Sequence, residues 1–338
     1  MDSHRDPVQR PEDAHQRLRL ETVAARLRID AAAAEASAAL AAAGVDSRLL
    51  KGAAVAQWLY AASGGRGYSD CDLLVAPGDV PAAQRVLSSL GYAPDFDDSA
   101  MPVWWQEHGR AWCRSADAVT IDLHRLLPGV RVDAESAWRL LSADPAPVLA
   151  GGRLLPALGL PARLLHVVLH AAQHGSPSGT PIADLERAMA QLDPDAWRAA
   201  AALARAVDAT DAFAAGLGLA SGGSELARSL GIPPASSVEA LLRAGSAVPG
   251  ALAFEQFARA DGMRARASIV FRKLVPPPEY VRYWSRQPGG GRSELLKAYL
   301  RRPLWVARQA LGGLRAWRDG RRSAAAARTS SGSERDPR

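Results

Sequence analysis

The sequence predicts an α+β protein: a small mixed sheet with flanking helices, followed by an all-helical region and a basic helical tail. Three observations carry that prediction. Within the first 150 residues, apolar or β-branched runs such as "CDLLVA" and "AVTIDLHRLL" alternate with helical stretches, the pattern of sheet and helix layers. From Pro145 onward strand signals nearly vanish, and alanine-rich segments bounded by Gly, Pro or Asp take over. The charge splits as well: residues 264–338 carry 18 Lys/Arg against 5 Asp/Glu, while the rest carry 23 against 30. An acidic body therefore adjoins a basic tail. The expected organisation is a disordered 1–15, an α/β domain over 16–150, a helical domain over 151–262, a basic helical segment over 263–320 and a disordered tail over 321–338.

Taken in order, Ala/Leu/Arg-rich stretches at 16–28 and 31–43 predict two helices, with "RID" capping the second. "GVDSRLLKG" turns into a short strand ending at Lys51, and "AAVAQWLYAA" predicts a helix starting at Gly52 and broken at Gly64 and Gly65. "CDLLVA" is a strand, "PGDVPAAQRVLSSLG" a helix closed by Gly91, and "VWWQEHGRAWCRS" a strand, turn and strand. "AVTIDLHRLL" gives the clearest strand signal, because its β-branched residues alternate. "GLPARLLHVVLHAAQHG", "PIADLERAMAQL", "DAWRAAAALARAV" and "ATDAFAAGLGLA" then predict successive helices.

Composition narrows the class. With 48% hydrophobic and 22% charged residues the chain matches ordinary globular proteins, and no apolar run approaches the roughly 20 residues needed to span a bilayer. The opening "MDSHRDPVQRPEDAH" lacks the apolar segment of a secretory signal. Two cysteines, Cys71 and Cys113, are too few for a disulfide scaffold, and Cys71 reads as a core thiol. The expected location is cytoplasmic.

The chemistry is concentrated in "RGYSDCDLLV". Asp70 and Asp72 are two residues apart at a strand, so they project from one face, where two carboxylates repel each other. Asp122, in "VTIDLHRL", sits on a strand able to lie beside the first. Three acids on one sheet edge are costly unless a divalent cation neutralises them, although by spacing alone they also read as solvated turn and strand-end residues.

These words resemble the nucleotidyltransferase superfamily, in which a glycine motif opening a helix precedes paired acids and a later strand supplies a third. "LLKGAAVAQWLY", "RGYSDCDLLV", "LSSLGY", "TIDLHRLL", the "LLHVVLHAAQH" helix and a tail like "YLRRPLWV" resemble more closely an uncharacterised nucleotidyltransferase-like family of bacterial gene clusters, over most of residues 45–320. The resemblance implies a magnesium-dependent enzyme with a two-ion site (Mn²⁺ being the alternative ion) that moves NMP, commonly AMP, from an NTP to an oxygen of a small-molecule or peptide acceptor. It implies Asp70, Asp72 and Asp122 as metal ligands and Gly52 as the backbone approach to the triphosphate. Ala53 departs from the usual Gly-Ser pair, so a phosphate-contacting hydroxyl is missing. Lys51 and Arg66 then read either as replacement phosphate cations or as plain surface residues. The missing hydroxyl also leaves open a non-catalytic binding or accessory module.

His124, two residues after Asp122, faces the same side and either orients Asp122, contacts substrate or is a satisfied strand histidine. His166, His170 and His174 recur every four residues along a helix face, with His170 or His174 facing nucleotide or acceptor; zinc binding and plain half-burial are the alternatives. Asp184 reads as a first-turn acid or a cleft residue. His108 carries no assignment. In the tail, Leu296, Leu300, Leu304, Ala307, Leu311 and Leu314 form a stripe opposite Arg301, Arg308, Arg315 and Arg318. Such a helix packs on the protein's own acidic body, or contacts a membrane surface or a protein partner. No module for sequence-specific nucleic acid is present.

Overall fold

A computed structural model describes residues 11–61, 65–95, 108–175, 179–245, 250–285 and 291–333. Helix α1 (Pro11–Ala42) leads into strand β1 (Ser47–Leu49), helix α2 (Ala53–Leu59), strand β2 (Cys71–Val75), a 3-10 turn at Pro77–Asp79 and helix α3 (Val80–Ser89). Strands β3 (Ala93–Pro94), β4 (Gly109–Arg114) and β5 (Val119–His124), helix α4 (Ala134–Leu141) and strands β6 (Ala146–Ala150) and β7 (Arg153–Ala157) complete the sheet region. The seven strands run in the order β3-β4-β5-β2-β1-β7-β6. β2 pairs parallel with β5, and β1 parallel with β7; the other neighbours are antiparallel.

Alternation along the central strands divides the interior. Cys71, Leu73, Val75, Ile121 and Leu123 join one core with Ala33, Ala36 and Leu40 of α1 and Leu87 of α3. Leu50 and Leu74 join the other core, beneath helix α5 (Leu160–His174). That second core continues through α6 (Gly179–Gln191), α7 (Pro194–Ala206), α8 (Thr210–Leu217), α9 (Gly223–Ser229) and α10 (Val238–Ala244), with Trp197 and Phe213 fully buried. Asp72 and Asp122 share the face covered by α5, because they alternate with the residues of the first core.

Several expectations change. α1 is one helix that begins inside the stretch expected to be disordered and runs through "RID"; it contains no Gly and no Pro after its first residue to break it. Asp30 caps nothing there; its carboxylate accepts a hydrogen bond from the Tyr68 hydroxyl at 2.6 Å. The boundary at 150 falls inside a hairpin, since β7 belongs to the sheet through its pairing with β1 (Leu49↔Ala157). Its signal was Gly151-Gly152, two glycines with φ of 55° and 74° between apolar runs, which make the two-residue turn of a right-twisted hairpin. The first strand expected in "VWWQEHGRAWCRS" lies outside the described residues.

The C-terminal elements are α11 (Ala251–Arg259), α12 (Gly262–Leu274), α13 (Pro278–Trp284) and α14 (Arg292–Ser333). α14 continues through Pro303, Gly312 and Gly313 and covers most of the tail expected to be disordered. Packing supplies the stability that propensity lacks: Ala324 joins Val238, Leu242 and Ala251 in a small core, and the Trp317 Nε1–H donates to Glu255 at 2.8 Å. Among the described residues no helix is long and apolar enough to cross a membrane.

Candidate active site

Strand register builds the centre of the site. In the parallel β2/β5 pair Asp72 is the direct partner of Asp122, and Leu74 of His124. One ligand atom from each of Asp72, Asp122 and His124 lies within 4.8 Å of the others. Asp72 is 1% exposed. Its Oδ1 accepts hydrogen bonds from His124 Nε2 at 3.0 Å and from Lys51 Nζ at 3.1 Å. His124 thus meets Asp72, the acid on the neighbouring strand, and not Asp122, the one it follows in sequence.

Asp70 stands just before β2, at the rim. Its Oδ2 is 3.8 Å from Lys51 Nζ, so a single ammonium links the two acids of the motif. The close-set donor group is therefore two aspartates and a histidine, with Asp70 beside it.

The electrostatics follow from burial and neighbours. Burial pushes the Asp72 carboxyl up, but the His124 hydrogen bond and the Lys51 charge outweigh it and hold the group well below the usual carboxylate range. Burial and then the Asp72 charge push Asp122 above that range. Lys51 is pulled down by burial, yet Asp72 and Asp70 raise it overall, so its ammonium persists. One acid is thus firmly ionised while its neighbour resists ionising, which marks a site short of positive charge.

A divalent cation fits this donor set. Asp72 Oδ2 is buried and has no hydrogen-bond partner, although buried carboxylate oxygens are normally satisfied. The two carboxylates suit Mg²⁺ or Mn²⁺, which prefer oxygen donors, better than a thiol-seeking metal. The histidine row does not converge in this way. The rings of His166 and His170 lie 5.9 Å apart, and those of His170 and His174 4.5 Å apart. His166 Nδ1 is 3.3 Å from the Leu50 carbonyl. Among the described residues these three form no metal-holding group. Burial and then the nearby Lys51 charge lower all three, so the row presents neutral imidazoles alongside Lys51.

Gly52 precedes α2 with φ 63° and ψ −120°, a conformation that disfavours any residue with a Cβ. A Cβ there would meet the Tyr68 ring at 3.5 Å, an ordinary contact, so the constraint comes from the backbone angle. Gly52 therefore has a structural requirement of its own, which lets the chain turn from β1 into α2 at Lys51.

Arg66, expected as a phosphate-facing or solvated cation, is buried and paired. Its Nε lies 2.9 Å from both oxygens of Asp184, and an Nη lies 2.9 Å from Oδ2. Asp184 is itself 2% exposed and also accepts from the Tyr60 hydroxyl at 2.7 Å. It sits in the second turn of α6, so it is neither a first-turn acid nor an open cleft residue. It ties the helical region to the segment that leads into β2. Tyr60 gave no signal in the sequence, because its partner lies 124 residues away.

A mixed sheet with paired acids on adjacent central strands, a glycine turn into a helix beside them and a helical layer over the same face is the nucleotidyltransferase arrangement. The family described as "Uncharacterised nucleotidyltransferase" matches residues 1–222, and the chain belongs to it. The matched span includes the whole sheet, the histidine row and Asp184, and leaves the basic C-terminal helices outside. No curated protein and no solved structure matches the chain.

Proposed function

We propose that this protein is a divalent-metal-dependent nucleotidyltransferase that moves the NMP unit of an NTP, AMP being the commonest cargo of such enzymes, to an oxygen of a small-molecule or peptide acceptor. The observation that carries this reading is the in-register Asp72–Asp122 pair with a buried, unpartnered carboxylate oxygen. Asp72 and Asp122, with Asp70 at the rim, would hold Mg²⁺ or Mn²⁺, with His124 beside them orienting Asp72. Bound there, two such ions would supply the positive charge that in-line attack on the α-phosphorus and departure of pyrophosphate require.

The chain's own groups do the positioning. Lys51 is the cation nearest the acids and, next to the Gly52 turn, the one to meet phosphate oxygens. His124 fixes the orientation of Asp72 through its hydrogen bond. The neutral His170 borders the same space and offers a hydrogen-bond partner to base, ribose or acceptor. No nucleophilic side chain is needed, since holding two reactants in line supplies much of such a rate enhancement. The free cysteines, with Cys71 buried, accord with a reducing cytoplasm.

Two observations favour a second reading, a non-catalytic binding module. Lys51 Nζ already neutralises Asp72 without a metal, and Ala53 stands where the superfamily carries a hydroxyl. Incubation with Mg²⁺ and each NTP, followed by assay of pyrophosphate and of NMP label on candidate acceptors or on the protein, separates the two. Metal-dependent turnover that disappears in Asp122→Asn supports the enzyme. NTP binding that is indifferent to metal and to that substitution supports the module.

A further inference from the structure

The stripe of leucines in the tail does not pack on the body. Leu296, Leu300, Leu304 and Leu311 of α14 are 61%, 72%, 56% and 68% exposed. The helix docks through its opposite side: Ala298, Arg302 and Ala324 are buried, the Arg302 Nε–H donates to the Lys273 carbonyl at 2.9 Å, and the Tyr299 hydroxyl donates to the Pro276 carbonyl at 2.6 Å. At about 100° per residue the four leucines fall within an arc of about 80°. Arg301, Arg308 and Arg315, expected on the opposite side, fall within about 40° directly beside them, Arg318 falls inside the leucine arc, and all four are exposed. None of these arginines forms an ion pair among the described residues.

The geometry points to an anionic lipid surface as the partner of this face, with α14 lying flat in the headgroup region. Four large aliphatic side chains left in water along about 24 Å of helix require a cover, and the arginine row specifies its sign. A second copy is a poor cover. Placed antiparallel, two such faces set their arginine rows along one edge of the seam, where like charges repel, and placed parallel they leave both rows without an anionic partner. A planar anionic surface meets both demands, because leucines enter the acyl boundary while arginines reach phosphates beside it. The charge distribution orients the whole molecule in the same sense, with 264–338 at a net +13 toward the surface and the remainder at −7 away from it.

The test is co-sedimentation of the full chain with vesicles of phosphatidylcholine alone and with about one third phosphatidylserine, at low salt and at 0.5 M NaCl, salt that shortens the Debye length to a few ångström. Binding is expected only with phosphatidylserine, falling at least tenfold in high salt. Replacing Arg301, Arg308 and Arg315 by Gln is expected to lower partitioning about a hundredfold, at roughly fivefold per arginine. Leu300→Asp with Leu304→Asp is expected to abolish it; these side chains face solvent, and an unchanged circular-dichroism melt shows that the fold is kept. Should the leucine variant melt early, the arginine variant decides. Equal binding to neutral vesicles, or binding unchanged in the arginine variant, overturns the proposal. So does a chain that ignores vesicles but elutes as a leucine-dependent dimer, or that captures polyglutamate instead, which would assign the face to a second copy or to an acidic protein.

Discussion

Asp72 and Asp122 are direct partners across the parallel strands β2 and β5, and Lys51 Nζ lies 3.1 Å from the more buried of the two. The pair keeps one carboxylate ionised and the other reluctant to ionise, with a single ammonium shared between Asp72 and Asp70.

Asp72→Asn and Asp122→Asn are each expected to weaken Mn²⁺ binding at least a hundredfold, because each removes a charged oxygen donor from a three-residue group. Asp70→Asn, at the rim, is expected to cost about tenfold. Titration followed by electron paramagnetic resonance of free Mn²⁺ reads these values without turnover. Equal affinity in all three variants would remove the metal assignment.

Lys51→Met leaves Asp72 buried without its ammonium. In metal-free buffer it is expected to lower stability by about 3 kcal/mol, the scale of breaking a buried ion pair. Added Mg²⁺ should restore part of that loss, while affinity for NTP falls. Thermal melts with and without Mg²⁺, together with NTP titration, check both halves.

Asp184→Leu strands the buried Arg66 guanidinium and is expected to cost about 3–5 kcal/mol in urea denaturation. Combining it with Arg66→Met should return stability to within about 1 kcal/mol of the starting protein, since neither charge is then left buried alone. A double variant as unstable as the single one would show that the pair contributes more than mutual compensation.

Stability should fall on mild acidification. Burial, then Lys51, pulls His166 down to about 3, and His170 is lowered likewise. In the unfolded chain both titrate near 6.5. Above that pH neither state carries the charge, and the contribution is fully present. Below it the unfolded state takes up protons that the folded state refuses, so stability drops by about 1.4 kcal/mol per pH unit per histidine until the folded value is reached. Asp122 is raised and works in the opposite sense, offsetting one histidine. Chemical denaturation from pH 7 to 5 in an Asp122→Asn background isolates the histidine slope, and His166→Gln should make it shallower.

Much of this was written locally. Period-two alternation in "CDLLVA" and "VTIDLH" put the acids on one face, and the alanine-rich segments from α5 to α8 announced their own ends through Pro, Gly and Asp. The β6–β7 hairpin had a readable turn at Gly151-Gly152, but its strands are short and apolar without alternation, which hides them among helices. Arg66 looked like a free cation because its counter-charge, Asp184, is 118 residues distant. The leucine stripe of α14 looked like a packing face because apolar periodicity gives the rotation of a helix only relative to itself.

The sequence alone determined which side chains share a strand face or a helix stripe, since backbone geometry repeats every two or 3.6 residues wherever an element lies. Tertiary structure decided which strand lies beside which, that Asp72 stands level with Asp122, that Lys51 reaches both acids of its motif, and which side of α14 meets solvent. Those outcomes depend on register and on the burial of distant surfaces against each other. The free energies that set them are summed over the whole molecule, and no local window of sequence contains them.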